Sequence, residues 1–197
     1  MPSPIDFYYE FSSPYGYFAS VKIEELAQEL GRTINWHPIL LGPMFKATGS
    51  APMATVPLKA EYMLHDFKRT ASLFNIPYKQ PLDFPIGTVA AARSAIYLRQ
   101  KSMELAAEFS KRIYAEYFAK GNDIRDIAVI NKVASDIGVN PEDLNQAIQD
   151  QAIKDELKAE VDKAMSKNVF GSPFIIIDNE SYWGFDRFDH IRLMHKV

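Results

Sequence analysis

The chain has 197 residues, 47% hydrophobic and 13% aromatic, which is enough apolar side chain for one large domain or a domain carrying a big insertion. Its 22 basic and 25 acidic side chains leave a net charge of −3, which offers no basic surface for nucleic acid. With 0 cysteines it has no disulfide, no thiolate metal ligand and no thiol nucleophile of its own, and no apolar run approaches the roughly 18 residues of a bilayer span.

The first segment, Ile5–Phe11, is an aromatic-rich strand running into Ser12-Ser13-Pro14. Pro suits a first helical turn because it lacks an N–H, and a serine before it can cap a free one; Ser12 is the expected cap. Ala19, Ile23, Leu26, Ala27 and Leu30 recur at helical spacing until Gly31, and Thr33–Leu40 reads as a second strand, with Pro38 marking an edge or a bend. A β-α-β unit of this length pairs its strands in parallel.

Gly42–Pro57 reads as a loop by its Gly, Pro and Ser content. Helical spacing then dominates. One stripe carries Met63, Phe67, Ala71 and Phe74. After an irregular stretch at 79–87, Thr88 is placed to cap a helix to Arg99, and Ser102 opens another that stops at Gly121. Asp126 starts a short helix, and Asn140-Pro141 starts one whose apolar face continues to Met165. Phe174–Asp178, a turn at Asn179-Glu180 and Ser181–Gly184 form a hairpin, and a last helix spans Asp186–Met194. The four histidines, His37, His65, His190 and His195, show no ligand spacing, so no metal is expected.

The order is therefore β-α-β, a helical block, then β-β-α: an α/β thioredoxin-like fold with a large all-helical insertion. Residues 1–42 and 168–197 form the thioredoxin-like part, and 43–167 the insertion. In that fold a cis-proline precedes the third strand, and Val169-Phe170-Gly171-Ser172-Pro173 occupies this place. From sequence the Ser172–Pro173 bond reads equally well as cis or trans.

On DFYYEFSSPYGY, VFGSP and YWGFDR (Tyr182–Arg187), in this order and spread over nearly the whole chain, the protein resembles the 2-hydroxychromene-2-carboxylate isomerases. These group with the kappa-class glutathione transferases among DsbA-like thioredoxin-fold proteins. Disulfide-exchanging members begin the first helix with C-x-x-C; here Ser13-Pro14-Tyr15-Gly16 stands there. The resemblance implies glutathione as cofactor, with Ser13 hydrogen-bonding its thiolate, Ser172 and Pro173 pairing with its backbone, and Asp186 and Arg187 holding its γ-glutamyl end. Taken alone, Asp186 reads as a helix cap and Arg187 as a surface charge. The implied reaction is a cis–trans isomerisation of an aromatic carboxylate by reversible thiolate addition, in a cytoplasmic homodimer. Lys46, Lys59, Arg69 and Arg93 are the cations available to a substrate carboxylate, and each reads equally as a solvated charge. The family often carries an asparagine near the start of the 58–75 helix and another after the second loop's Phe-Pro. Neither is present here, which bears on the substrate more than on glutathione. A kappa-like transferase and a non-catalytic thioredoxin-fold binding module are the alternatives.

Overall fold

The computed structural model describes residues 2–195. Strands β1 (Ile5–Tyr9), β2 (Ile34–Pro38), β3 (Phe174–Ile177) and β4 (Glu180–Trp183) form one sheet in the order β2-β1-β3-β4. β1 and β2 are parallel, joined by helix α1 (Pro14–Glu29), and β3 lies antiparallel to β1 with β4 antiparallel beyond it. This is the expected thioredoxin-like pattern. Pro38 is the last residue of edge strand β2, where its missing N–H leaves no central ladder bond unmade. The β3–β4 turn is Asp178-Asn179, one residue earlier than expected. Both have positive φ (52° and 68°), as a two-residue turn matched to strand twist requires.

Seven helices lie between β2 and β3: α2 (Leu41–Thr48), α3 (Lys59–Leu73), α4 (Val89–Lys101), α5 (Met103–Ala115), α6 (Ile127–Asp136), α7 (Pro141–Ala147) and α8 (Gln151–Ser166). α9 (Phe188–Met194) closes the chain after a single 3-10 turn at Phe185–Arg187. Three expectations need correcting. The stretch read as loop from Gly42 begins as α2, whose only buried side chain is Met44; its Gly and Pro hid a short helix. The long helix expected from Asn140 is two, because the Asp150 side chain accepts from Ala152 N–H and starts α8 afresh. Thr88 stands at the cap position of α4 but makes no cap hydrogen bond; its hydroxyl is engaged elsewhere.

The apolar faces of these helices and of the sheet meet in one continuous core. Phe7, Tyr9, Phe11, Trp36, Phe109, Ile113 and Tyr114 are fully or almost fully buried at its centre. Behind β2, a polar cluster ties helices to sheet. His37 Nδ1 lies 2.6 Å from Glu160 Oε1 on α8, and its Nε2 lies 3.3 Å from Asp6 Oδ1 on β1. Arg99 of α4 donates to Glu160 Oε2 at 2.8 Å. Burial alone would depress the His37 pKa, but its bonds to Asp6 and Glu160 outweigh this and raise it. The same bonds, with Arg99, hold Glu160 down to about 2 against the burial that would raise it.

Candidate active site

The site forms where the C-terminal end of β1 meets the N-terminus of α1. Ser13, not Ser12, is the cap of α1: it sits in extended backbone and its Oγ accepts from the Gly16 N–H at 3.0 Å. Pro14 takes the first helical position, where its missing N–H costs nothing. Ser12 turns the other way. Its N–H and hydroxyl both donate to Glu10 Oε2, at 2.9 and 2.6 Å.

The second wall is the loop before β3, where the Ser172–Pro173 peptide is cis. The Ser13 hydroxyl donates to the Ser172 carbonyl at 2.8 Å, and the Glu10 N–H donates to Ser172 Oγ at 2.9 Å. Two bonds thus lock the proline loop to the capping loop. A third wall comes from α5, whose buried Tyr114 hydroxyl donates to the Glu10 carbonyl at 2.8 Å. Gly16 is what allows this convergence: a Cβ there would lie 2.5 Å from the Tyr114 hydroxyl and 2.8 Å from Ser172 Oγ. Burial first, and the nearby Glu10 charge second, push the Tyr114 pKa well up, so its hydroxyl remains a donor.

Pro173 is tied onward to the last motif, since the Gly184 N–H donates to its carbonyl at 3.0 Å. Gly184 has φ +112°, a conformation side chains rarely adopt, and a Cβ there would run into Asp186 Oδ1. Asp186 and Arg187 are exposed or half-exposed and pair with each other at 2.5 Å, with Arg187 Nη1 3.1 Å from His190 Nδ1. Asp186 makes no cap bond; it lies in the 3-10 turn. Of the residues singled out from sequence, Ser13, Ser172, Pro173 and Asp186 thus lie along one connected path, with Arg187 beside Asp186.

The cations are placed differently. Lys46 in α2 and Lys59 in α3 are exposed, and neither makes an ion pair among the described residues. Lys59 is one turn from Met63, whose sulfur accepts from the Tyr15 hydroxyl of α1 at 4.0 Å. Arg69 pairs with Asp66, which also takes the Tyr15 hydroxyl; that ties α3 to α1. The Arg93 guanidinium reaches the Ile148 carbonyl after α7 (3.4 Å), so the structure does not bring it together with Ser13.

Sequence reasoning missed Glu10, Gly16, Thr88 and Tyr114. Glu10 is only 4% exposed, and its Oε1 meets the Thr88 hydroxyl at the start of α4. Burial dominates its pKa and raises it, although the Ser12 and Thr88 bonds pull the other way. A lone carboxylate in the aromatic run Phe7–Phe11 was the signal that could have flagged it.

The arrangement offers hydrogen-bond donors to an anion. The first turn of α1 points its peptide dipoles at Ser13, and the Ser172 N–H has no acceptor among the described residues. A disulfide-exchanging helix start would present a cysteine here. This one presents a hydroxyl, and no thiol exists anywhere in the chain.

Comparison with known proteins agrees with this geometry. The family model of a DSBA-like thioredoxin domain matches residues 4–194. A 2-hydroxychromene-2-carboxylate isomerase of Sphingobium xenophagum is 29% identical over 97% of both chains. The glutathione S-transferase kappa 1 of Caenorhabditis elegans is 29% identical over 93% of this chain and 87% of its own. A solved 2-hydroxychromene-2-carboxylate isomerase superposes with a TM-score of 0.89 at 23% identity, covering 96% of this chain and 93% of that one. A DSBA-like match over nearly every residue, on a sheet and helix order of the same kind, shows that the chain belongs to the DSBA-like thioredoxin family.

Proposed function

We propose that the protein is a glutathione-dependent cis–trans isomerase acting on 2-hydroxychromene-2-carboxylate or a related intermediate of aromatic breakdown. One observation carries the reading: the Ser13 hydroxyl caps α1 against the cis Ser172–Pro173 peptide in a chain with no cysteine. The site is built to stabilise a thiolate, and the thiol has to come from outside. The residues fit glutathione. The Ser172 N–H, without an acceptor among the described residues, matches a peptide backbone, and Asp186 follows two residues after Gly184, whose N–H donates to the Pro173 carbonyl, so it is the carboxylate offered to an ammonium. When bound, glutathione supplies a nucleophilic sulfur that adds to an unsaturated carbon and leaves again, so that bond rotation occurs while the double bond is single.

The protein's part follows from its own groups. Ser13 turns its hydroxyl from the Ser172 carbonyl to the sulfur, and with the α1 N-terminus it stabilises the charged form. An ordinary thiol titrates near ~8.5, so a lowering of about two units makes it mostly thiolate at neutral pH. Ser172 and Pro173 orient the tripeptide, and Asp186 with Arg187 anchors its far end. Lys46 and Lys59, exposed and without an ion pair among the described residues, are the cations this reading assigns to a substrate carboxylate. In this reading residues 1–42 and 168–197 hold the thiol, 43–167 walls the substrate, and the working form is a cytosolic homodimer. Calorimetric titration with glutathione tests it; no binding at millimolar concentration overturns it.

The 29% identity to a kappa-class transferase supports a second reading, in which glutathione is consumed by conjugation to an electrophile. Product analysis separates the two, because an isomerase returns glutathione unchanged.

A further inference from the structure

A thiolate made beside Ser13 leaves a proton to be placed, and it would form near a carboxylate. Glu10 is buried, its carbonyl takes the Ser13 N–H at 2.9 Å, and among the described residues no lysine, arginine or histidine pairs with it. Two anions in one buried site repel, and that would raise the thiol pKa that the site has to lower. The structure resolves the conflict through the hydrogen bonds of Glu10. All of its side-chain partners are groups that donate: the Ser12 N–H, the Ser12 hydroxyl and the Thr88 hydroxyl. Thr88 is 3% exposed, whereas Ser12 is half-buried, so of the two hydroxyls on Glu10 the Ser12 one, at 2.6 Å, is the one that also reaches solvent.

Resting on the proposed use of glutathione, we infer that Glu10 is the proton acceptor of the site, reached through Ser12. In the step, the Ser12 O–H bond breaks and an Oε2–H bond forms on Glu10, while Ser12 Oγ takes up the proton of the thiol. The carboxylate becomes a neutral acid as the sulfur becomes an anion, and the net charge of the site is unchanged. The geometry survives the transfer. Ser12 Oγ becomes the acceptor of the bond it had donated, Thr88 keeps its place at Oε1, and no backbone atom has to move. Burial favours the neutral acid and raises the Glu10 pKa, against the pull of the Ser12 and Thr88 bonds, so taking up a proton relieves the cost of a buried charge. Its titratable neighbours from the packed elements are the phenols Tyr114 of α5 and Tyr117 of the turn after it. Burial first and the Glu10 charge second raise both, so neither competes as a base.

The test is the proton count on binding, from calorimetric titration of glutathione at neutral pH in buffers of different ionisation heat, with thiolate absorbance read in parallel. For the wild type, thiolate forms and close to zero protons reach the buffer. For Glu10→Gln, each thiolate formed releases about one proton, as expected for a thiol of pKa ~8.5 ionising at pH 7. Infrared difference spectra of the wild type, needing no variant, gain a protonated-carboxyl band on adding glutathione. A full proton released by the wild type alongside thiolate formation, or no such band, overturns the role of Glu10 while leaving glutathione binding intact. Absence of binding heat altogether overturns the glutathione reading itself.

Discussion

Gly16→Ala is the sharpest probe of how the site is packed. The added methyl meets the Tyr114 hydroxyl at 2.5 Å and Ser172 Oγ at 2.8 Å, with Ser13 Cβ at 3.1 Å. Tyr114 has no room to retreat. It is fully buried, its ring packs on Phe11 and Tyr17 with centroids 5.2 and 6.0 Å away, and its hydroxyl is fixed to the Glu10 carbonyl. Overpacking of this kind costs ~1–3 kcal/mol, and an unmet buried hydroxyl or carbonyl adds ~1–3 kcal/mol. Replacing a helical glycine returns up to ~1 kcal/mol. A net loss of about 3 kcal/mol lowers the melting temperature of a chain this size by about 6–12 °C. Gly42→Ala is the matched control, because it also lies in a helix and a Cβ there meets nothing within 4 Å. It is expected to be neutral or to gain up to ~1 kcal/mol. Thermal unfolding followed by circular dichroism reads both, and glutathione titration reads the site. If Gly16→Ala melts with the wild type and binds as tightly, the convergence of Tyr114 and Ser172 on this helix start is not what sets the geometry.

Ser13→Ala removes the cap of α1 and the proposed donor to a bound thiolate; it should cost ~0.5–2 kcal/mol of stability and raise the bound thiol pKa by ~1–2 units, seen as a shifted thiolate absorbance titration. An unshifted titration would mean that the sulfur sits elsewhere. Thr88→Val strips the Glu10 Oε1 of its partner and should destabilise by ~1–3 kcal/mol in urea unfolding, with Thr88→Ser restoring most of it; equal midpoints for all three would show the contact to be idle. The His37 cluster predicts a pH dependence whose sign is defined. Because the folded His37 pKa is raised, its contribution is complete below the unfolded value of ~6.5 and fades as pH rises through the folded value. Glu160, held at about 2, contributes above its unfolded value of 4.5 and fades as pH falls toward 2. Stability from this cluster is therefore greatest between these two unfolded values, and His37→Gln should flatten the decline on the alkaline side; a wild-type urea midpoint that climbs from pH 6 to 9 refutes the pairing.

What could be read from the chain, and what could not, divides by the range of the interaction involved. Pro14 behind a serine, Gly31 and Gly121 as helix stops, and the β-branched run in Phe174–Ile177 are local signals, and each element formed where its own residues favoured it. The errors inside helices were local too. Gly42 and Pro43 lie in the first turn of α2, where they are tolerated, so composition alone read a helix as a loop. The choice between Ser12 and Ser13 as cap was beyond local rules, because it depends on a competitor. Glu10 Oε2 claims both the N–H and the hydroxyl of Ser12, leaving Ser13 to turn toward the helix.

The site itself is long-range. Glu10 is joined to Thr88, Tyr114 and Ser172, which stand 78, 104 and 162 positions away along the chain. Thr88 looked like a cap because a threonine before an apolar helix usually is one; the buried carboxylate offers its hydroxyl a stronger, charged acceptor, and the α4 cap bond is forgone. That exchange has a consequence for evolution of the site. A helix of the insertion and the loop of the thioredoxin-like part share one carboxylate, so a change at either Ser12 or Thr88 alters the ionisation of Glu10 and, if the proposed thiolate binds beside Ser13, the charge it has to tolerate. In the proposed reading the insertion would therefore do more than wall the substrate, since its Thr88 supplies one of the donors to the carboxylate behind Ser13.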